Sequence, residues 1–130
     1  MQLYWEHPAL GEVVLEESWV LDLAVSETAA QFRLELAVTK HHRWWAPPEP
    51  GEQHNYLRAE LCFRDARDID YRPSGRPPRA DAVGDLDLGN IDVMTFEADE
   101  WRLAGAWGSV RVVGPRPVLE VARPPTRRSA

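Results

Sequence analysis

Gly84 to Val113 reads GDLDLGNIDVMTFEADEWRLAGAWGSVRVV, and within it two apolar-alternating runs meet at Ala98-Asp99-Glu100. A β-hairpin appears in this way when each strand covers a core. In the second run Trp101, Leu103, Gly105 and Trp107 share one face, whereas Val110 and Val112 fall on the opposite parity. A one-residue slip at a glycine predicts a β-bulge at Gly108. The first run slips similarly. Leu86 and Leu88 lie on one parity, Ile91 and Val93 on the other with Gly89-Asn90 between them, and Met94 and Phe96 return to the first. Apolar residues on both parities predict a central strand covered on both sides.

Upstream, Phe32, Leu34, Leu36 and Val38 alternate with Gln31, Arg33, Glu35, Ala37 and Thr39, the cleanest period-two pattern in the chain. A helix would scatter those four apolar residues around its axis, so the run is a strand with one buried and one wet face. Trp19, Leu21, Leu23 and Val25 form a similar apolar face before a turn at Ser26-Glu27-Thr28-Ala29. Leu57, Ala59, Leu61 and Phe63 point inward from the next strand, and Val118 to Val121 can add a last one. Residues 1–17, with Pro8 and Gly11, read as an irregular entry followed by a short strand or turn. Seven or eight strands without a convincing helix predict an all-β, antiparallel β-sandwich or partly open barrel. A single domain is expected over residues 1–122, followed by a disordered basic, proline-containing tail at 123–130.

Formal net charge is −6. Setting aside Arg123, Arg127 and Arg128 of the tail leaves 12 basic residues against 21 acidic ones, a balance of −9 for residues 1–122. Such a surface repels nucleic acid, whose phosphates need concentrated basic contacts, and attracts a basic protein partner. Solubility alone is the plainer explanation of the same acidity. The start, MQLYWEHPALGE, places Glu6 where an export leader carries basic residues, and no apolar run is long enough for a bilayer. A cytoplasmic protein without membrane contact is therefore expected. The lone Cys62, between Leu61 and Phe63, reads as a small buried hydrophobe in a reducing compartment.

Candidate chemistry is sparse. Asp81, Asp85, Asp87 and Asp92 superficially resemble the opening of a calcium loop, but the sixth position is Asn90 and the twelfth Phe96, where glycine and a bidentate glutamate are needed. Strand alternation explains the spacing, with Asn90 and Asp92 structural where the strand changes register. His7, His41, His42 and His54 lack zinc-ligand spacing, and adjacent histidines on an extended chain point apart. No nucleophile elbow or catalytic grouping can be assembled, so no metal, cofactor or catalytic residue is assigned and a non-enzymatic protein is expected.

Six tryptophans are the more informative feature. Trp19, Trp101 and Trp107 sit on inward parities and read as core. Trp44 and Trp45 lie in HHRWWAPPEPGEQHN, whose prolines exclude a ladder strand. With Arg43, His54 and Tyr56 they form the candidate recognition surface for a partner, a Pro-rich peptide or a small ligand, or else the loop folds back as a cap on the open end of the core.

The pairing of Gly89-Asn90-Ile91-Asp92 with Gly105-Ala106-Trp107-Gly108-Ser109-Val110 resembles small uncharacterised bacterial all-β proteins, in which an aspartate-rich strand with a Gly-Asn-Ile-Asp core precedes a Gly-x-Trp-Gly strand. More distantly, the layout is similar to immunity proteins of bacterial polymorphic toxin systems, which are commonly small, acidic and without catalytic residues. The resemblance covers roughly residues 55–121. It implies a cytoplasmic interaction protein, an immunity-type binder of a basic partner, and carries over no functional residue.

Overall fold

The structure, a computed structural model, describes residues 1–51, 55–75, 79–80 and 86–123, with the backbone alone at 79, 80 and 86. His54, Asp81, Asp85 and residues 124–130 of the expected tail lie outside the described residues. The described strands are β1 (Gln2–Leu3), β2 (Val13–Val25), β3 (Ala30–Val38), β4 (Tyr56–Phe63), β5 (Asp68–Pro73), β6 (Arg79–Ala80), β7 (Leu86–Asp87), β8 (Val93–Glu97), β9 (Glu100–Gly105), β10 (Gly108–Val113) and β11 (Val118–Val121). Two 3-10 turns, Tyr4–Glu6 and Pro8–Leu10, are the helical content of the described residues. No helix among those residues is long and apolar enough to cross a membrane.

Two antiparallel sheets, ordered β1-β8-β9-β10-β5 and β11-β4-β3-β2, stack without closing into a barrel. The consecutive antiparallel strands β2-β3-β4 and β8-β9-β10 supply most of the ladders; short turns join β2 to β3, β8 to β9 and β9 to β10, whereas residues 39–55 connect β3 to β4. Between the sheets lie the predicted inward residues of β3 and β4, with Leu103, Val110 and Val112 from the facing sheet. Aromatic rings bridge the layers. Phe32 meets Trp107 edge-on at 5.2 Å, and Phe63 lies 6.1 Å from Trp101, itself stacked on Phe96 at 4.4 Å. Such offset and edge contacts add to the burial of the rings themselves.

Two runs that look continuous in sequence are broken. The parity slip at Gly108 is a tight hairpin turn and not a bulge: Gly105 pairs with Gly108, and Ala106-Trp107 form the two-residue connection. Gly108 has φ +130°, a conformation that accommodates few residues other than glycine. The stretch from Leu86 to Phe96 likewise is no central strand. Leu86-Asp87 pair with β6, residues 88–92 form a strap without ladder structure, and only then does β8 begin.

That strap joins the sheets. Val20 donates its amide to the Gly89 carbonyl and Leu88 donates to the Val20 carbonyl, both at 2.8 Å, while the Asp92 amide reaches the Ala104 carbonyl. Asn90 donates from Nδ2 to the Ser18 carbonyl at 2.7 Å, and its own carbonyl accepts from the Trp107 indole at 3.0 Å. A tryptophan in a two-residue turn is thereby buried, at 5 % exposure, with its polar nitrogen satisfied.

β2 itself is irregular. Between the pairs Val14–Ala37 and Trp19–Glu35 it carries extra residues, and the Ser18 hydroxyl repairs the ladder there, accepting the Ala37 amide and donating to the Val14 carbonyl. A second irregularity places Leu21 unpaired between Val20–Leu34 and Asp22–Arg33. One unpaired residue inverts the parity of Ser18 to Val20 just before it, so Val20 is fully buried and Trp19 faces outward at 37 % exposure. The expectation that Trp19 is core is thus corrected, while Trp101 and Trp107 are core.

Candidate functional site

The loop after β3 is ordered by two successive four-residue turns, 39–42 and 42–45. The His42 amide donates to the Thr39 carbonyl, and the Trp45 amide donates to the His42 carbonyl. His42 Nδ1 also accepts from the Trp44 amide at 3.1 Å, which fixes that nitrogen as the unprotonated one. Asn55 Nδ2 reaches back to the Trp44 carbonyl at 3.4 Å and ties the far end of the loop. Prolines at 47, 48 and 50 deny this segment a ladder.

Trp44 and Trp45 are both partly buried against the core. Trp44 also forms one wall of a cleft of about 210 Å³ whose other walls come from Pro8, Val13, Leu119 and Val121, with Glu12, His42 and Arg43 supplying polar groups. The exposed Arg43 guanidinium lies 4.0 Å from the centre of the Trp44 ring, a cation–π contact that covers one indole face. Burial pushes His42 below the ordinary histidine range; Glu12 opposes that shift and Arg43 adds to it. His42 is therefore neutral at physiological pH.

Of the predicted site residues, Arg43 and Trp44 meet at this cleft. Trp45, its neighbour, packs on the core without lining the cleft. Tyr56 begins β4 opposite Ala37, on the parity of Arg58 and Glu60, and is not among the residues lining the cleft. Pro8, Glu12, Leu119 and Val121 were not legible as site residues, because only the pairing of β11 with β4 and the fold of the N-terminal turns bring them to Trp44.

The remaining candidates have architectural partners. His7 accepts the Ala9 amide and packs edge-on against Trp101 at 5.4 Å and Phe96 at 5.9 Å. Asp87 accepts the Gly89 amide in a local turn. Cys62 is buried on the outer side of β4, and burial raises its thiol above the ordinary range, which disfavours the reactive thiolate. Among the described residues no three His, Cys, Asp or Glu side chains gather so as to hold a metal ion.

Comparison with known proteins finds no matching family model, no similar curated protein and no similar solved structure.

Proposed function

We propose that this chain is a non-enzymatic protein-interaction module of the cytoplasm, an immunity-type binder whose Trp44 cleft receives one side chain of a basic partner. The size of the cleft carries this reading. At about 210 Å³ it falls below the roughly 300–1,000 Å³ of pockets that enclose a whole small molecule, yet it suits a single anchor side chain. Its chemistry agrees with such an anchor: the Trp44 indole, Leu119 and Val121 line a cleft whose exposed surface is mostly polar, with the Glu12 carboxylate among its lining groups. Hot spots of protein interfaces are built from such aromatic surfaces ringed by polar groups. The −6 net charge supports steering of a basic partner toward the surface.

Capture from a lysate of the native host, comparing the parent with Trp44→Ala and Glu12→Gln, tests the proposal. Trp44→Ala should lose the captured protein at a nearly unchanged melting temperature, and Glu12→Gln should weaken capture most at low salt. Undiminished capture by Trp44→Ala, or a loss of capture that follows a large fall in melting temperature, would make Trp44 a cap on the core and defeat the reading.

A further inference from the structure

The outer face of the five-stranded sheet carries a second feature, separate from the Trp44 cleft. Register places Val93, Ala104, Ser109 and Arg72 in one cross-strand row, and Thr95, Arg102, Arg111 and Asp70 in the next. Small side chains in the middle of the first row leave a trough of about 430 Å³, bordered by Arg72, Arg102, Arg111 and Asp70. Val93, 51 % exposed, and Leu3, paired beside it through Thr95, extend its apolar rim.

Three guanidinium groups and one carboxylate line this trough in a chain of net charge −6. Arg102 and Arg111 are also direct cross-strand neighbours, an arrangement of like charges that disfavours the sheet. Glu100 offsets it by bonding to both, and Asp68 takes Arg111 at 2.9 Å. Among the described residues Arg72 and Arg102 each commit one terminal nitrogen to a carboxylate, at 3.2 and 3.4 Å, and keep further donors for a ligand.

We propose that this trough docks an acidic, extended segment of a partner protein, its carboxylates on Arg72, Arg102 and Arg111 and its small side chains over Val93, Ala104 and Ser109. Guanidinium recognises carboxylate through paired donors, which suits a face where the donors stand in a row. The trough crosses four strands, about 14 Å at the usual spacing, room for about four residues of extended chain.

The test is a titration of the ¹⁵N-labelled chain with a blocked hexapeptide of alternating Glu and Ala, the matched Lys/Ala peptide, and inorganic phosphate. The Glu/Ala peptide should move the amide signals of Arg102, Ala104, Ser109 and Arg111 saturably, and equally in Trp44→Ala. Arg102→Gln should weaken it about tenfold, and Ala104→Phe, which fills the trough without altering charge, should abolish it. Unchanged binding by both variants would overturn the proposal, as would equal binding of the Lys/Ala peptide or shifts confined to the Trp44 cleft. Phosphate producing the same shifts at the same concentration would reduce the trough to a general anion site and also overturn it. If Ala104→Phe fails to fold, Arg102→Gln decides alone, its side chain being mostly exposed.

Discussion

Replacing Gly105 with alanine looks harmless from the backbone alone, because its φ lies outside the left-handed region. Reduced freedom of the unfolded chain would then stabilise the protein by about 0.4–1 kcal/mol. The strap predicts the opposite. A Cβ at Gly105 would sit far inside contact distance of the Asn90 carbonyl oxygen and 2.5 Å from Trp107 Nε1, the two atoms that hydrogen-bond to each other. Neither can move freely, since Asn90 is held to Ser18 and the Trp107 ring is wedged against Phe32. Separating them leaves a buried indole N–H and carbonyl unpaired, about 1–3 kcal/mol, and overpacking adds about 1–3 kcal/mol. A loss of about 2–6 kcal/mol is therefore expected, a large share of the roughly 5–15 kcal/mol that holds a domain of this kind together. Urea unfolding gives the free energy, and the Trp107 indole N–H signal should move toward that of a solvent-exposed indole. A variant as stable as the parent, or more stable, would refute the interlock of strap and turn.

Three further outcomes follow from the same geometry. Gly108→Val should cost more than the 1–3 kcal/mol or so of backbone strain alone, because a Cβ there also meets the Arg72 carbonyl and lies 2.9 Å from Pro73 Cα; an unchanged urea midpoint would contradict it. Ser18→Ala should lose about 1–3 kcal/mol and speed hydrogen exchange at Ala37, whose amide loses its acceptor; unaltered exchange would show that the backbone re-pairs. Glu100 is held below its ordinary value of 4.5, chiefly by the hydrogen bond from Arg111, so its ionised form favours the folded state. That contribution is complete above the ordinary value and vanishes as pH falls through the lowered one, so the gap between parent and Glu100→Gln should shrink on acidification; a pH-independent gap would count against the ion pair.

Regular strands were legible because their inward residues keep period two throughout, even though Ala37 and Cys62, on the opposite parity, are buried as well. Phe32 through Val38 and Leu57 through Phe63 point where period two sends them, and Ser26 closes its turn with the Ala29 carbonyl. Trp19 was misplaced because the unpaired Leu21 leaves no local mark: neither glycine nor proline interrupts Val13–Val25. Ala106-Trp107 was hidden for a related reason, since an indole in a two-residue turn reads as strand until its partner, Asn90, is known. The loop at Arg43, Trp44 and Trp45 stood out through its prolines and paired indoles, but the opposite wall of its cleft comes from residues at both ends of the described chain. The trough was invisible for the same reason, since its floor is defined only once β8, β9, β10 and β5 are in register.

The strap also sets an order of events in time. Asn90 closes on Ser18 across 72 positions of sequence, and Trp107, which closes on Asn90, is synthesised later still. As the chain leaves the ribosome, the β2-β3-β4 meander emerges with Phe32, Leu34 and Leu61 uncovered, and most of the opposite sheet, β8, β9 and β10, is synthesised only after Ile91. The early half must therefore wait, sticky and half-made, for a stretch that arrives roughly 70 residues after it, at about 5–20 residues per second. Contacts that distant in sequence raise the contact order, which slows folding and lengthens the time for which the early half stays uncovered.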